Sequence, residues 1–306
     1  MKVGLLTAWF VIFSTICAQS GAKSDSLSKI EAPLRLSFLS SNVKDSNPFE
    51  REINYPILGG IGIVTASAVL AINHYYETTW WRENRTSFKF VNDWKYALWI
   101  DKFGHMLGTE LIAHGFSSAL EAANVGERPA VWMGAAGALA MQLYVEYKDG
   151  FGPKWGFSPG DAVSDFLGAA YYVGKYYYPD LKNFQLRFSY FPSKKMLEGK
   201  MPDHNISDDY EGQKLWLSVR MNNLLPKKWA SVWPDWLMLS FGYGVKNLDG
   251  RGGGEKDFFL AFDFDAEELP LHGPIWNFVK NTLNYIHFPM PGIRISHGIT
   301  FLAFAY

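Results

Sequence analysis

The sequence predicts an α+β chain: a membrane-associated or periplasmic four-helix region followed by an antiparallel β-rich region. Three observations carry this reading. Residues 56–76, "PILGGIGIVTASAVLAINHYY", are uncharged until His74. Three further apolar runs with embedded ionisable residues follow at about 99–123, 129–147 and 159–178. After "YYYPD" the periodicity changes from helical to alternating.

The first helix, at 21 residues, matches the roughly 20 needed to cross a bilayer. Its Gly59, Gly60, Gly62, Ala66 and Ala71 suit close helix packing, so a membrane span and a buried core helix both fit. The helices that follow are joined by short turns. Pro129 sits near the start of the third, and Ser158 and Pro159 mark the N-cap and first turn of the fourth. Short connections predict an antiparallel bundle. Beyond it, "FQLRFSY", "KLWLSVRM", "WLMLSFGYGV", "DFFLAFDFD" and "GIRISHGITFLAFAY" alternate as strands do, with a turn at "LDGRGGGEKD" and one helix at 275–286. Five or six strands are too few for a closed bacterial membrane barrel, which has eight or more, so an open sheet packed on the helices is expected.

At the N-terminus, Met1-Lys2, an apolar run to Cys17 and the small, polar "AQSGAKSDS" have the layout of a secretory signal. The expected organisation is a signal peptide at 1–20, a polar segment at 21–55 with one short strand in "LRLSFLS", a helical domain at 56–178 and a β-rich region at 179–306. Cys17 is the only cysteine, and "STIC" lacks the small residue expected before a lipidated one, which favours plain cleavage over lipidation. Cleavage would leave a mature chain with no thiol for disulfides or catalysis. The 29 basic and 30 acidic residues give no field that would attract nucleic acid. Aromatics make up 17% of the chain, as expected where side chains have one dry and one wet end. Membrane or envelope lipid is therefore the expected partner, and the cell envelope, periplasm or outer membrane the expected location.

The chemistry concentrates in "DKFGHMLGTE" and two later stretches. Asp101 and His105 form an i, i+4 pair beside Lys102. The third helix ends "QLYVEYKDG", with Gln142 and Glu146 one turn apart, and the fourth carries Asp161 and Asp165 on one face with Gly168 and Tyr172. In an antiparallel bundle these helix ends meet, so Asp101, Lys102, His105, Glu146, Asp161 and Asp165 form one candidate cluster. Asp101, His105, Glu146, Asp161 and Asp165 are the ligand types for a divalent cation, the one cofactor the cluster suggests. His105 oriented by Asp101 would equally serve as a general base, and an ion-paired structural network centred on Lys102 is a third reading. Glu110 and His114 are expected to pair with each other along the helix. His204, His272, His287 and His297 lack ligand spacing and are expected on the surface or in strands.

The order D-K-x-x-H (Asp101, Lys102, His105), E-x-K-D (Glu146, Lys148, Asp149) and W-G-F-S-x-G-D-x-x-x-D-x-x-G (Trp155 to Gly168, with Asp161 and Asp165) resembles the YfiM-like family of uncharacterised predicted periplasmic lipoproteins, and more distantly the VanZ-like membrane family. The resemblance covers residues 99–176. It implies an envelope protein with a β-rich C-terminal extension and supplies no reaction. A structural or scaffolding role at the outer membrane is one expected function; a metal-binding or hydrolytic enzyme acting on an envelope lipid or glycan is the other.

Overall fold

The computed structural model describes residues 52–79, 81–201, 206–250, 252–296 and 298–306. The expected signal peptide, Cys17, the strand at "LRLSFLS", His204 and His297 lie outside the described residues. The chain is α+β. Four long helices, α1 (Tyr55–Thr78), α2 (Ile100–Ala122), α3 (Glu127–Asp149) and α4 (Pro159–Tyr177), precede a six-stranded antiparallel sheet. The strands are β1 (Phe184–Tyr190), β2 (Gln213–Val219), β3 (Leu237–Lys246), β4 (Glu255–Phe264), β5 (Met290–Arg294) and β6 (Thr300–Ala305), paired in chain order. Helix α5 (Pro274–Leu283) interrupts the meander before β5.

Small residues allow α2, α3 and α4 to pack closely. A Cβ at Gly134 would lie 2.8 Å from Ala113 O, and one at Gly168 would collide with Met106 O. Alanines fill the seam, with Ala113, Ala135, Ala138 and Ala169 all buried. Helix α1 runs beside α3 in the same direction: Asn54 N donates to Ala123 O (2.9 Å) at one end, and Tyr144 Oη donates to Asn73 Oδ1 (2.8 Å) near the other. None of its residues is buried, which removes the core-helix reading. By length and composition, α1 suffices to cross a membrane.

The other side of α2 packs on the sheet through Ala97, Ile100, Leu107, Leu215, Val245 and Tyr285. The chain enters α2 through three successive left-handed residues, Ala97, Leu98 and Trp99 (φ 46°, 52° and 78°). That conformation costs L-residues roughly 1–2 kcal/mol each. It is held by the sheet, since Tyr243 Oη donates to Leu98 O and Ala97 and Ile100 are in the core.

Each face of the sheet carries both polar and apolar residues. One face buries Arg187, Ser218, Ser240 and Asp263 beside Trp216, Met238, Phe259 and Ala261, whereas on the other Leu215 and Val245 pack on α2 and Leu217, Phe241, Phe258 and Phe262 are exposed. The first of these faces closes on an ion pair, Arg187 Nη1 to Asp263 Oδ1 at 3.1 Å, with both side chains fully buried. His287, expected on the surface or in a strand, is buried here. Its Nδ1 lies 2.8 Å from Asp263 Oδ2, and its ring stacks on Trp216 at 3.7 Å. The reason is local: residues 285–287 lie alongside β1 through Phe188 N to Tyr285 O and His287 N to Phe188 O, both 2.9 Å. His272 is exposed, as expected.

Two substitutions test this packing by urea unfolding. Asp263→Ala strands a buried guanidinium and is expected to cost about 3–5 kcal/mol. Gly168→Ala overpacks the α2–α4 seam and should cost about 1–3 kcal/mol. Unchanged midpoints in both would contradict the packing described.

Candidate functional site

The antiparallel order brings the start of α2, the end of α3 and the start of α4 to one end of the bundle, where the six candidate residues meet. Ser158 caps α4 as expected: its hydroxyl accepts from Asp161 N (3.1 Å) and donates to Asp93 Oδ1 (2.5 Å). Its backbone N–H donates to Glu146 Oε2 (3.1 Å), tying the end of α3 to the start of α4.

Lys102 is buried and its Nζ is shared by three carboxylates: Asp161 Oδ1 at 2.7 Å, Asp93 Oδ2 at 2.9 Å and Asp101 Oδ2 at 3.0 Å. One turn along, His105 Nδ1 lies 3.0 Å from Asp165 Oδ1. The same oxygen accepts from the Thr109 hydroxyl (3.0 Å) and Gln142 Nε2 (3.2 Å). An ionised carboxylate only accepts, so Asp165 fixes the proton on Nδ1 and the orientation of the ring.

His105 Nε2 therefore points the other way, into a ring of oxygens: Asp161 Oδ1 at 3.7 Å, Glu146 Oε1 at 3.9 Å and Asp101 Oδ1 at 4.0 Å. These separations exceed hydrogen-bond reach. They are close to the spacing of two ligands on one cation: bonds of about 2.0–2.2 Å put tetrahedral neighbours about 3.4 Å apart. Two trios, Asp101–His105–Asp161 and His105–Glu146–Asp165, have ligand atoms within 4.8 Å of one another.

Five carboxyl groups (Asp93, Asp101, Glu146, Asp161 and Asp165) thus face two cationic side chains, and the proton affinities register the imbalance. Burial pushes the Glu146 carboxyl up to about 8, against the pull of His105. Burial also raises Asp161. For Asp101, burial acts upward but His105 and Lys102 outweigh it, holding the carboxyl below the usual range. Burial disfavours the His105 cation, yet the Asp165 hydrogen bond and the charges of Asp161, Asp165 and Asp101 push it up to about 10. The site attracts positive charge, whether a proton or a metal ion.

Three contributors escaped the sequence reading. Asp93 lies in the irregular segment before α2, with no periodic signal. Tyr210, whose Oη donates to Asp101 Oδ1 (2.8 Å), comes from a loop 109 residues away. Thr109 reads as an ordinary helix residue. Tyr210 also lines a cavity of about 170 Å³ with Tyr96, Lys195, Asp208 and Glu211.

The remaining motif residues sit apart. Lys148 pairs with Glu77 (3.1 Å) and Asp149 accepts from Trp81 Nε1 (2.5 Å), so both serve the α1–α3 contact. The expected Glu110–His114 pair is corrected. Glu110 is ion-paired with Lys175 of α4, and His114 Nε2 lies 3.2 Å from Thr282 Oγ1 of α5. Both side chains point away from water into neighbouring elements, which outcompete an exposed i, i+4 contact.

No curated protein and no solved structure matches the chain. A family model described as "Predicted periplasmic lipoprotein (DUF2279)" matches residues 90–176, which include Asp93 and all six candidate residues and stop before the sheet. Over α2, α3 and α4, then, the chain is similar to a family of predicted periplasmic lipoproteins.

Proposed function

We propose that this envelope protein holds a divalent cation at the end of its helical bundle. His105 Nε2 and the carboxylates of Asp101, Glu146 and Asp161 are the ligands, and Asp165 orients the imidazole. The observation that carries this is the direction of the ring. With Nδ1 committed to Asp165, Nε2 faces three carboxylate oxygens, which is repulsive for a neutral ring unless a proton or a metal cation lies between them, and the spacing of these atoms suits a metal. A carboxylate–histidine–metal arrangement has this form. Ligands of one nitrogen and several oxygens suit Mn²⁺ or Zn²⁺. A metal there would supply Lewis acidity and an activated water, the requirements for hydrolysis of an envelope lipid or glycan.

A second reading, a structural or scaffolding role, is favoured by Lys102, whose single ammonium already neutralises part of the cluster. In that reading a proton on His105 provides the rest.

Thermal unfolding with and without Mn²⁺ or Zn²⁺ separates them. A bound cation is expected to stabilise the parent by about 2.7 kcal/mol at a hundredfold excess over Kd. His105→Gln and Asp161→Asn should lose that response. If the parent ignores both cations and the two variants simply melt lower, the scaffolding reading stands and the metal reading falls.

A further inference from the structure

We propose that the outer faces of α1, α3 and α4 are covered by the acyl chains of a lipid bilayer. The four helices contain many ionisable residues, yet the exposed ones are only His74, Glu77, Glu121 and Arg128, each within about a turn of a helix end. The others are turned inward, as in the buried Glu110–Lys175 pair and the cluster around Lys102. Between the ends, the outer surface is Ile63 and Leu70 on α1, Trp132 and Met133 on α3, and Phe166 and Leu167 on α4, of which Leu70 is 70% and Phe166 58% exposed.

The dimensions agree with a bilayer. On α3 the uncharged run is 129–145, 17 residues between Arg128 and Glu146, which at 1.5 Å each span about 26 Å, close to the lower limit for crossing a hydrocarbon core. Aromatic side chains gather at both limits. Trp132 Nε1 donates to Tyr177 Oη (3.0 Å) at one, and Trp81 packs edge-on against Tyr144 at the other. Such aromatic belts mark membrane–water interfaces.

An independent observation is the apolar surface left exposed on the sheet. On the face that packs on α2 through Leu215 and Val245, the side chains of Leu217, Phe241, Phe258 and Phe262 remain exposed. That pattern is costly in water and ordinary for strands facing lipid. The candidate cluster lies in the end turns of its helices, at one rim of the uncharged zone. This inference does not depend on what the cluster binds.

The test uses full-length protein carrying Cys17→Ser and one of Leu70→Cys, Phe166→Cys, Arg85→Cys or Lys154→Cys, spin-labelled and reconstituted into phosphatidylethanolamine–phosphatidylglycerol vesicles. Labels at 70 and 166 should be relaxed several-fold more by dissolved oxygen than by an aqueous nickel chelate, with the order reversed at 85 and 154. Equal access of the nickel chelate to all four sites would overturn the proposal. So would shielding of 70 and 166 from both reagents together with label-to-label distances between copies, because a second copy would then be the occupant.

Discussion

The burial of Lys102 and His105 among five carboxyl groups is the constraint around which the helical region is organised. Charged groups withdrawn from water cost several kcal/mol each unless paired, so the partners must arrive together from different elements. Asp93 comes from the segment before α2, Glu146 from the end of α3, and Asp161 and Asp165 from the start of α4. Satisfying Lys102 and His105 at once fixes which ends of α2, α3 and α4 adjoin. Glycines such as Gly168 then permit the distance of approach that the pairing needs. The sheet is drawn in by the same requirement, because Tyr210 reaches Asp101 and the strained turn at 97–99 is held by Tyr243.

Much of this was legible in the sequence where a local period carried it. The alternation in "FQLRFSY" predicts β1 to the residue, and the i, i+4 spacings of Asp101 with His105 and of Asp161 with Asp165 place each pair on one face of its helix. Ser158 was readable as a cap because capping is itself local. What was not readable depends on contacts between distant positions. The partner of Glu110 is Lys175 on another helix, and the environment of His287 is created by β4 and β2 closing over a segment that follows α5. Asp93 has neither period nor motif around it, and only the folded turn places it beside Lys102.

The two halves of the chain share a feature: each buries closely paired charges within an apolar core and leaves large apolar side chains exposed. In the helices the inward groups are the cluster and the Glu110–Lys175 pair; in the sheet they are Arg187, Asp263 and His287. Desolvated charge of this kind must be closely paired wherever the outside is lipid, since no water can compensate for a missing partner. The proposed bilayer contact and the dense ion pairing are thus two aspects of one arrangement.

The central claim is that His105 Nε2 is aimed at a cation rather than merely protonated within a network. Pulsed electron paramagnetic resonance of the full-length protein loaded with Mn²⁺ tests it most directly, because coupling of a single nitrogen to the electron spin reports a coordinated imidazole. One such coupling is expected, absent in His105→Gln. A spectrum showing bound Mn²⁺ with only water-proton couplings, unchanged by that substitution, would contradict the assignment.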